Sequence, residues 1–507
     1  MPSEPIKFYY LAPSPPCRAV MMTARALDLE LDLIPTNIMD GDHKTPEYLK
    51  MNPQHTIPTM DDSGFILWES RAILAYLVNA YGKDDSLYPK NPRQRAIVDQ
   101  RLNFDIGTLF PRYLNLYYPM LFRGDEYNQE NADKLNEALG WLNIFLEKSA
   151  FVAGDNLTIA DISIIVTITN LDAFKFDFSE HENLTKWFER TKKALEPYDW
   201  EDIDETGAQM LADFLNREHT GVRNLYLIWM VALLHHGTEY TGDRWIPWLP
   251  LPPFRDKDVK FVCVCITCGG QAEYFMFGTA VARSKRKRMP SEPIKFYYLA
   301  PSPPCRAVMM AARALDLELD LIPTNIMDGD HKTPEYLKMN PQHTIPTMDD
   351  SGFILWESRA ILAYLVNAYG KDDSLYPKNP RQRAIVDQWL NFDIGTLYSR
   401  YSNLYYPILL RGEEYNQENA DKLNEALGWL NIFLEKSAFV AGDNLTIADI
   451  SIIVTITSLD AFKFDFSEHE NLTKWFERTK KALEPYDWED IDETGAQMLA
   501  DFLNREH

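Results

Sequence analysis

A length of 507 residues, a net charge of −24 and a hydrophobic share of 46 % describe an acidic chain with apolar material for more than one core. The acidity excludes nucleic acid as a partner, because phosphate contacts need clustered Lys and Arg; a small anionic ligand met by local cations remains open. Five cysteines, Cys17, Cys263, Cys265, Cys268 and Cys305, make no disulfide framework and suit a reducing, cytoplasmic setting.

The opening MPSEPIKFYYLAPS has neither a basic leader nor a long apolar stretch, so no secretory signal is expected. The longest apolar run, 225–234, is about half of a membrane span. Residues 289–507 repeat residues 1–219 at an offset of 288 with no gap. Nine positions differ: Thr23/Ala311, Arg101/Trp389, Phe110/Tyr398, Pro111/Ser399, Leu114/Ser402, Met120/Ile408, Phe122/Leu410, Asp125/Glu413 and Asn170/Ser458. Seven of them fall between 101 and 125, so one segment can vary while the rest is held constant.

Within a copy, 6–12 is apolar and β-prone and reads as a buried strand. Ser14-Pro15-Pro16 then signals a helix start. Residues 30–38 read as a second strand, 56–60 and 65–68 as two short strands around a turn, and 69–81 as a helix. From Pro92 onward only helical periods remain: 93–122, 132–148, 158–174, 184–195 and 205–216. Pro111 is expected to kink the first of these, and Ser399 to let its counterpart straighten. Thr158 and Asp161 form a capping box. The fold class is therefore α/β plus all-α, duplicated in tandem. Expected domains are 1–83 and 92–219 in the first copy, and 289–371 and 380–507 in the second. The segment 220–288 carries a charge of +5, an apolar run, the three clustered cysteines and a basic stretch at 284–288. It is expected to be a linker of low order; zinc, membrane-surface and nuclear-address readings are each weaker.

Four features carry chemistry. Ser14 stands where a strand ends and a helix begins, placed either to cap the helix or to turn its hydroxyl toward a thiolate among open backbone N–H groups. Cys17 lies three residues on, but its redox partner position holds Ser14, so it reads as a packed small residue. In NPQHTIPT, Ile57-Pro58 precedes a strand; it is an ordinary edge proline, or leaves the Ile57 backbone free to pair with an extended peptide. In WESR, Glu69 could take an ammonium and Ser70 a carboxylate, with Arg71 orienting the pair; the plainer reading is a solvated helix start. One ligand with an ammonium, two carboxylates, a peptide backbone and a thiol would use all of them, and glutathione is that molecule.

YYLAPSPPCR, NPQHTIPT and WESRAI together resemble the cytosolic glutathione S-transferases, specifically the insect delta class, over both copies. One departure is LAPSPP, where the family often has PGSAP. The resemblance implies a thioredoxin-like N-terminal domain, a helical C-terminal domain, and transfer of glutathione to apolar electrophiles in detoxification. It implies that Ser14 stabilises the glutathione thiolate and that His43 and His55 face the glycyl end. Ile57 would pair with the cysteinyl backbone beside cis-Pro58. Glu69, Ser70 and Arg71 would hold the γ-glutamyl group, supported by Asp105. The second copy carries Ser302, His331, His343, Ile345, Pro346, Glu357, Ser358, Arg359 and Asp393 in the same places. The electrophile wall would come from Leu109, Tyr113, Tyr117, Leu121 and Phe122, and from Leu397, Tyr401, Tyr405, Leu409 and Leu410. Glutathione is the expected co-substrate, and no metal is expected. Relatives dimerise, so the copies are expected to pair with each other or to form homo-oligomers; no nucleic-acid or membrane partner is expected. A non-catalytic binding or structural protein on the same fold is the alternative, and dehydrohalogenase or peroxidase side activities remain open.

Overall fold

The computed structural model describes residues 2, 4–217, 289, 290 and 292–505. The linker reading of 220–288, with Cys263, Cys265, Cys268 and the basic stretch, lies outside the described residues. No helix among the described residues is long and apolar enough to cross a membrane.

Each copy opens on a four-stranded sheet. In the first, β1 (Ile6–Tyr10), β2 (Leu31–Pro35), β3 (Thr59–Asp62) and β4 (Phe65–Trp68) stand in the order β2-β1-β3-β4. α1 (Pro15–Ala26) carries the chain back across the sheet, which lets β2 run parallel to β1. β3 and β4 follow antiparallel. Ser63 and Gly64 close their hairpin at positive φ, 53° and 84°, the conformation that two-residue hairpin loops demand. The inner strand β1 buries Ile6 and Phe8 completely. α2 (Pro46–Met51) and α3 (Ser70–Tyr81) complete the layer.

The rest of the copy is helical: α4 (Pro92–Phe104), α5 (Phe110–Arg123), α6 (Gln129–Phe145), α7 (Ile159–Ala173), α8 (Glu182–Leu195) and α9 (Thr206–Arg217). Asparagine side chains at 91 and 128 accept the first free N–H groups of α4 and α6. The capping box at Thr158 and Asp161 forms, and it does more than start α7. Asp161 Oδ1 also accepts from Val152 N and Trp187 Nε1, each at 2.9 Å, tying α7 to α8. The second copy repeats the order from Ile294–Tyr298 to Thr494–Arg505. Each copy is thus α/β followed by all-α, as its sequence implies.

One helix expected over 93–122 is two. A π turn at Asp105–Leu109 separates α4 from α5, and the second copy has the same turn at Asp393–Leu397. The break therefore does not come from Pro111, since Ser399 does not remove it. Pro111 sits in the first turn of α5, where a missing N–H costs nothing. The proline inside the helix is Pro119, matched by Pro407.

The copies form one compact unit. Trp68 at the end of β4 enters the core of the second copy, stacked on Phe433 at 5.1 Å and edge-on to Trp389 at 5.7 Å. Trp356 enters the core of the first, against Phe145 at 5.7 Å. The π turns meet at their glycines. A Cβ on Gly107 would lie 2.7 Å from Ile394 Cδ1, and one on Gly395 would lie 2.9 Å from Ile106 Cδ1. A side chain at either glycine would have to displace the facing isoleucine.

Candidate functional site

Ser14 precedes α1 in extended conformation, and its hydroxyl makes no capping hydrogen bond to a backbone N–H of that helix; its neighbour there is the Cys17 thiol. The expected field of open N–H groups is not there. Pro15 and Pro16 have no N–H, and the N–H groups of Cys17 and Arg18 both donate to Ser14 O at 3.0 Å. What this turn offers a ligand is the hydroxyl itself. Burial pushes the Cys17 thiol up to about 11, against the lowering effect of the Ser14 hydroxyl beside it. Fully buried and protonated, Cys17 is a core residue and no nucleophile.

The second cluster lies at the start of α3. Glu69 holds φ at 68°, a left-handed conformation that a non-glycine residue adopts only when its surroundings impose it. Desolvation pushes its carboxyl up to about 7, although Arg71 pulls the other way. Arg71 donates to Asp105 Oδ2 through Nε at 3.0 Å and a terminal nitrogen at 2.7 Å, and to Ser70 Oγ at 3.2 Å. Ser163 Oγ donates to the same Asp105 oxygen at 2.6 Å. Asp105 is fully buried, and its carboxyl is raised by desolvation against the pull of Arg71 and Ser163. The arginine is thereby held rigidly beside Glu69. The second copy repeats the pattern through Arg359, Asp393 and Ser451.

The third element is the loop before β3, where the Ile57-Pro58 and Ile345-Pro346 peptides are cis. His55 and His43 lie with ring centres 5.7 Å apart. Burial lowers His43, and the nearby His55 lowers it further; its buried Nδ1 has no hydrogen-bond partner among the described residues. Each of these loops is backed from the other copy. Trp429 lies 5.6 Å from His55 and Trp141 lies 5.8 Å from His343, both edge-on.

A cavity of about 900 Å³ joins these features in the second copy. Ser302, His331, His343, Ile345, Pro346, Glu357, Ser358 and Arg359 all line it. Asp393 stands behind them, reached through Arg359. Of the expected apolar wall, Leu409 and Leu410 line the cavity. Leu397, Tyr401 and Tyr405 do not; they are core, as are Leu109, Tyr113 and Tyr117. Tyr113 accepts from Asn170 Nδ2 at 2.9 Å, and Tyr117 packs on Phe174 at 4.5 Å. The residues that take their place are one position along the helix: Tyr398, Ser402 and Tyr406, with Ser399 beside them. Met498, Leu499 and Phe502, from the counterpart of α9, close the apolar side. The differences between copies already pointed here, since Phe110/Tyr398, Pro111/Ser399, Leu114/Ser402 and Phe122/Leu410 are four of the nine.

Arg18 has a part that no local pattern announces. It is fully buried, and a terminal nitrogen donates to Asp204 O and to Asp204 Oδ1 at 2.6 Å. Its other terminal nitrogen donates to Val166 O at 3.2 Å and Asn170 Oδ1 at 2.5 Å. Arg18 fixes the helix that presents Ser14 to the helical half of the copy.

Comparison with known proteins accounts for both halves of each copy. The profile of the glutathione S-transferase N-terminal domain matches residues 4–79 and 292–367. That of the C-terminal domain matches 97–192 and 393–480. Glutathione S-transferase D7 of Anopheles gambiae is 48 % identical over 204 residues, which are 40 % of this chain and 94 % of that protein. The chain belongs to the glutathione S-transferases. A structurally characterised Bombyx mori glutathione transferase is 76 % identical, covering 42 % of this chain and 99 % of its own, with a TM-score of 0.42. A delta-class glutathione transferase of Nilaparvata lugens is 45 % identical over 42 % of this chain and 99 % of its own, with a TM-score of 0.41. This tandem transferase conjugates glutathione, its co-substrate, to electrophiles; a purely binding or structural role is not favoured. Among the described residues no group of His, Cys, Asp and Glu is arranged to hold a metal ion.

Proposed function

We propose that Ser14 and Ser302 each donate a hydrogen bond to the glutathione sulfur and hold it as a thiolate at neutral pH. The supporting observation is that the Ser14 hydroxyl caps no backbone N–H of its own helix while the neighbouring N–H groups are absent or taken. Glu69 and Glu357 receive the ammonium, Ser70 and Ser358 the adjoining carboxylate, and Arg71 and Arg359 orient both from their carboxylate anchors, Asp105 and Asp393. His43 and His55, with His331 and His343, receive the glycyl carboxylate; Ile57 and Ile345 pair with the peptide beside Pro58 and Pro346. Residues 1–83 and 289–371 thus hold glutathione, and 92–219 and 380–507 hold the electrophile.

The thiol proton leaves to solvent as the thiolate forms. The sulfur then forms a bond to carbon while the carbon–halogen bond breaks and halide leaves with its electron pair. On an activated alkene the neighbouring carbon takes a proton from water instead. Proximity and a lowered thiol pKa supply the rate. The cavity around Ser302 has the volume of a small-molecule site and an apolar side built from Leu409, Leu410, Met498 and Phe502, which supports apolar electrophiles. We assign the working state to pairing of the two copies within one chain, in the cytoplasm, where the buried thiols of Cys17 and Cys305 stay reduced.

Replacing Ser14→Ala and Ser302→Ala together is expected to lower kcat about a hundredfold with glutathione binding kept. Undiminished turnover would remove the serines from the chemistry. The two singly substituted chains separate the copies, which are expected to hold glutathione with similar affinity and to differ in electrophile preference. Identical profiles across a panel of electrophiles would defeat that reading.

A further inference from the structure

The cavity around Ser302 is not built from the second copy alone. Gly107, Thr108, Pro111 and Asn115 of the first copy also line it. The glycine contact explains how they arrive: Gly107 lets its π turn approach Ile394, which itself lines the cavity, and α5 of the first copy follows that turn to the cavity edge. Two counterparts therefore meet in one space, Pro111 from the first copy and Ser399 from the second. Paired with another copy of itself, the second copy would place serine at both positions. The same side of the interface sets Trp141 against His343, so the first copy touches the site at its glutathione end as well.

We propose that the first copy completes the electrophile site of the second, and that Thr108 is a specificity residue acting in trans for elongated electrophiles long enough to reach beyond the wall of their own copy. The proposal rests on the cavity being the electrophile site, as argued above. A short electrophile sits against residues of the second copy and is indifferent to the first. A long one extends to Thr108, Pro111 and Asn115. Thr108 reaches this cavity from the other copy, whereas its counterpart Thr396, in the same copy as the cavity, does not line it. Thr396 instead accepts a hydrogen bond from Gln54 at 3.1 Å.

The test uses the full chain. With Ser14→Ala present, turnover reports the second copy; with Ser302→Ala present, it reports the first. Adding Thr108→Phe is expected to raise the KM for 2-nonenal in the second copy roughly threefold or more. The KM for glutathione and the turnover of propenal should not move, and the first copy should be unaffected. A shift in the first copy rather than the second, an equal shift for both aldehydes, or no shift would overturn the proposal. Thr108→Ala guards against mispacking by the larger ring; it should move the same KM and spare the same controls. Calorimetric titration with S-octylglutathione and S-methylglutathione reads the wall without turnover. Thr108→Phe should weaken the octyl compound at one of two sites and leave the methyl compound unchanged at both. That result would stand even if the serines proved not to be the acting hydroxyls, and equal octyl affinity before and after substitution would count against the proposal.

Discussion

The sockets that receive Trp68 and Trp356 are made of the same sequence apart from one residue, and they are packed differently. Trp389 meets Trp68 as an aromatic wall, and Gln388 is free to accept from Trp68 N at 3.0 Å. Arg101 takes the equivalent place in the other socket. Its guanidinium lies 3.8 Å over Phe145, 5.5 Å from the Trp356 ring, and donates to Gln100 Oε1 at 2.5 Å and Val152 O at 2.9 Å. Gln100, so occupied, turns its amide to Trp356 O at 3.3 Å instead of accepting from the backbone N–H. The change spreads further. The Trp356 indole donates to Gln342 at 2.6 Å, whereas Gln54 turns away to Thr396 and its own buried oxygen has no partner among the described residues. Around this one substitution at a pseudo-symmetric interface, two pairs of equivalent glutamines, Gln100/Gln388 and Gln54/Gln342, hold different partners.

The comparison can be broken most forcibly at the knobs themselves. Trp68→Ala should cost about 3–5 kcal/mol, read by urea denaturation of the full chain, and Trp356→Ala less, because an ion already disturbs its socket. Equal losses would mean that Arg101 packs as well as Trp389. Arg101→Trp should make the sockets alike. It removes a buried guanidinium whose proton affinity burial pulls down, and it should stabilise the chain by about 1–3 kcal/mol. Destabilisation would show that the bonds to Gln100 and Val152 outweigh desolvation.

The smallest effect lies at the glutamates. Glu69 and Glu357 are both raised to about 7 by desolvation, while glutathione's ammonium needs them ionised. S-Methylglutathione should therefore bind more tightly as pH rises through about 7, with release of a proton on binding below it. Arg71 opposes the rise at Glu69; at Glu357 both Arg359 and Arg101 oppose it. The second copy should titrate at slightly lower pH, and Arg101→Trp should erase the offset. An offset that survives the substitution would assign it to something else.

Much of the site was legible because its residues sit at turns that the chain announces locally. Ser14 before two prolines, Ile57-Pro58 before a strand, and Glu69-Ser70-Arg71 after one are all short-range patterns. The wall of the electrophile cavity was not legible, for a geometric reason. Reading 93–122 as one continuous helix carries the phase of Asp105 straight on to Tyr113 and Tyr117. The π turn inserts a residue, so the face slips by one, and Tyr398, Ser402 and Tyr406 face the cavity where Leu397, Tyr401 and Tyr405 were expected. That turn is held by tertiary contacts, Asp105 under Arg71 and Gly107 against Ile394, which no local pattern encodes. Arg18 was missed likewise, its partner Asp204 lying 186 residues away.

Trp68 and Trp356 each complete a core that begins in the other copy. An enzyme assembled from separate chains loses such tryptophans to water whenever dilution parts them. With the copies paired within one chain, as we propose, each half meets its complement at a local concentration that no dilution lowers, and the enzyme stays whole at levels where a dissociable dimer would have fallen into halves.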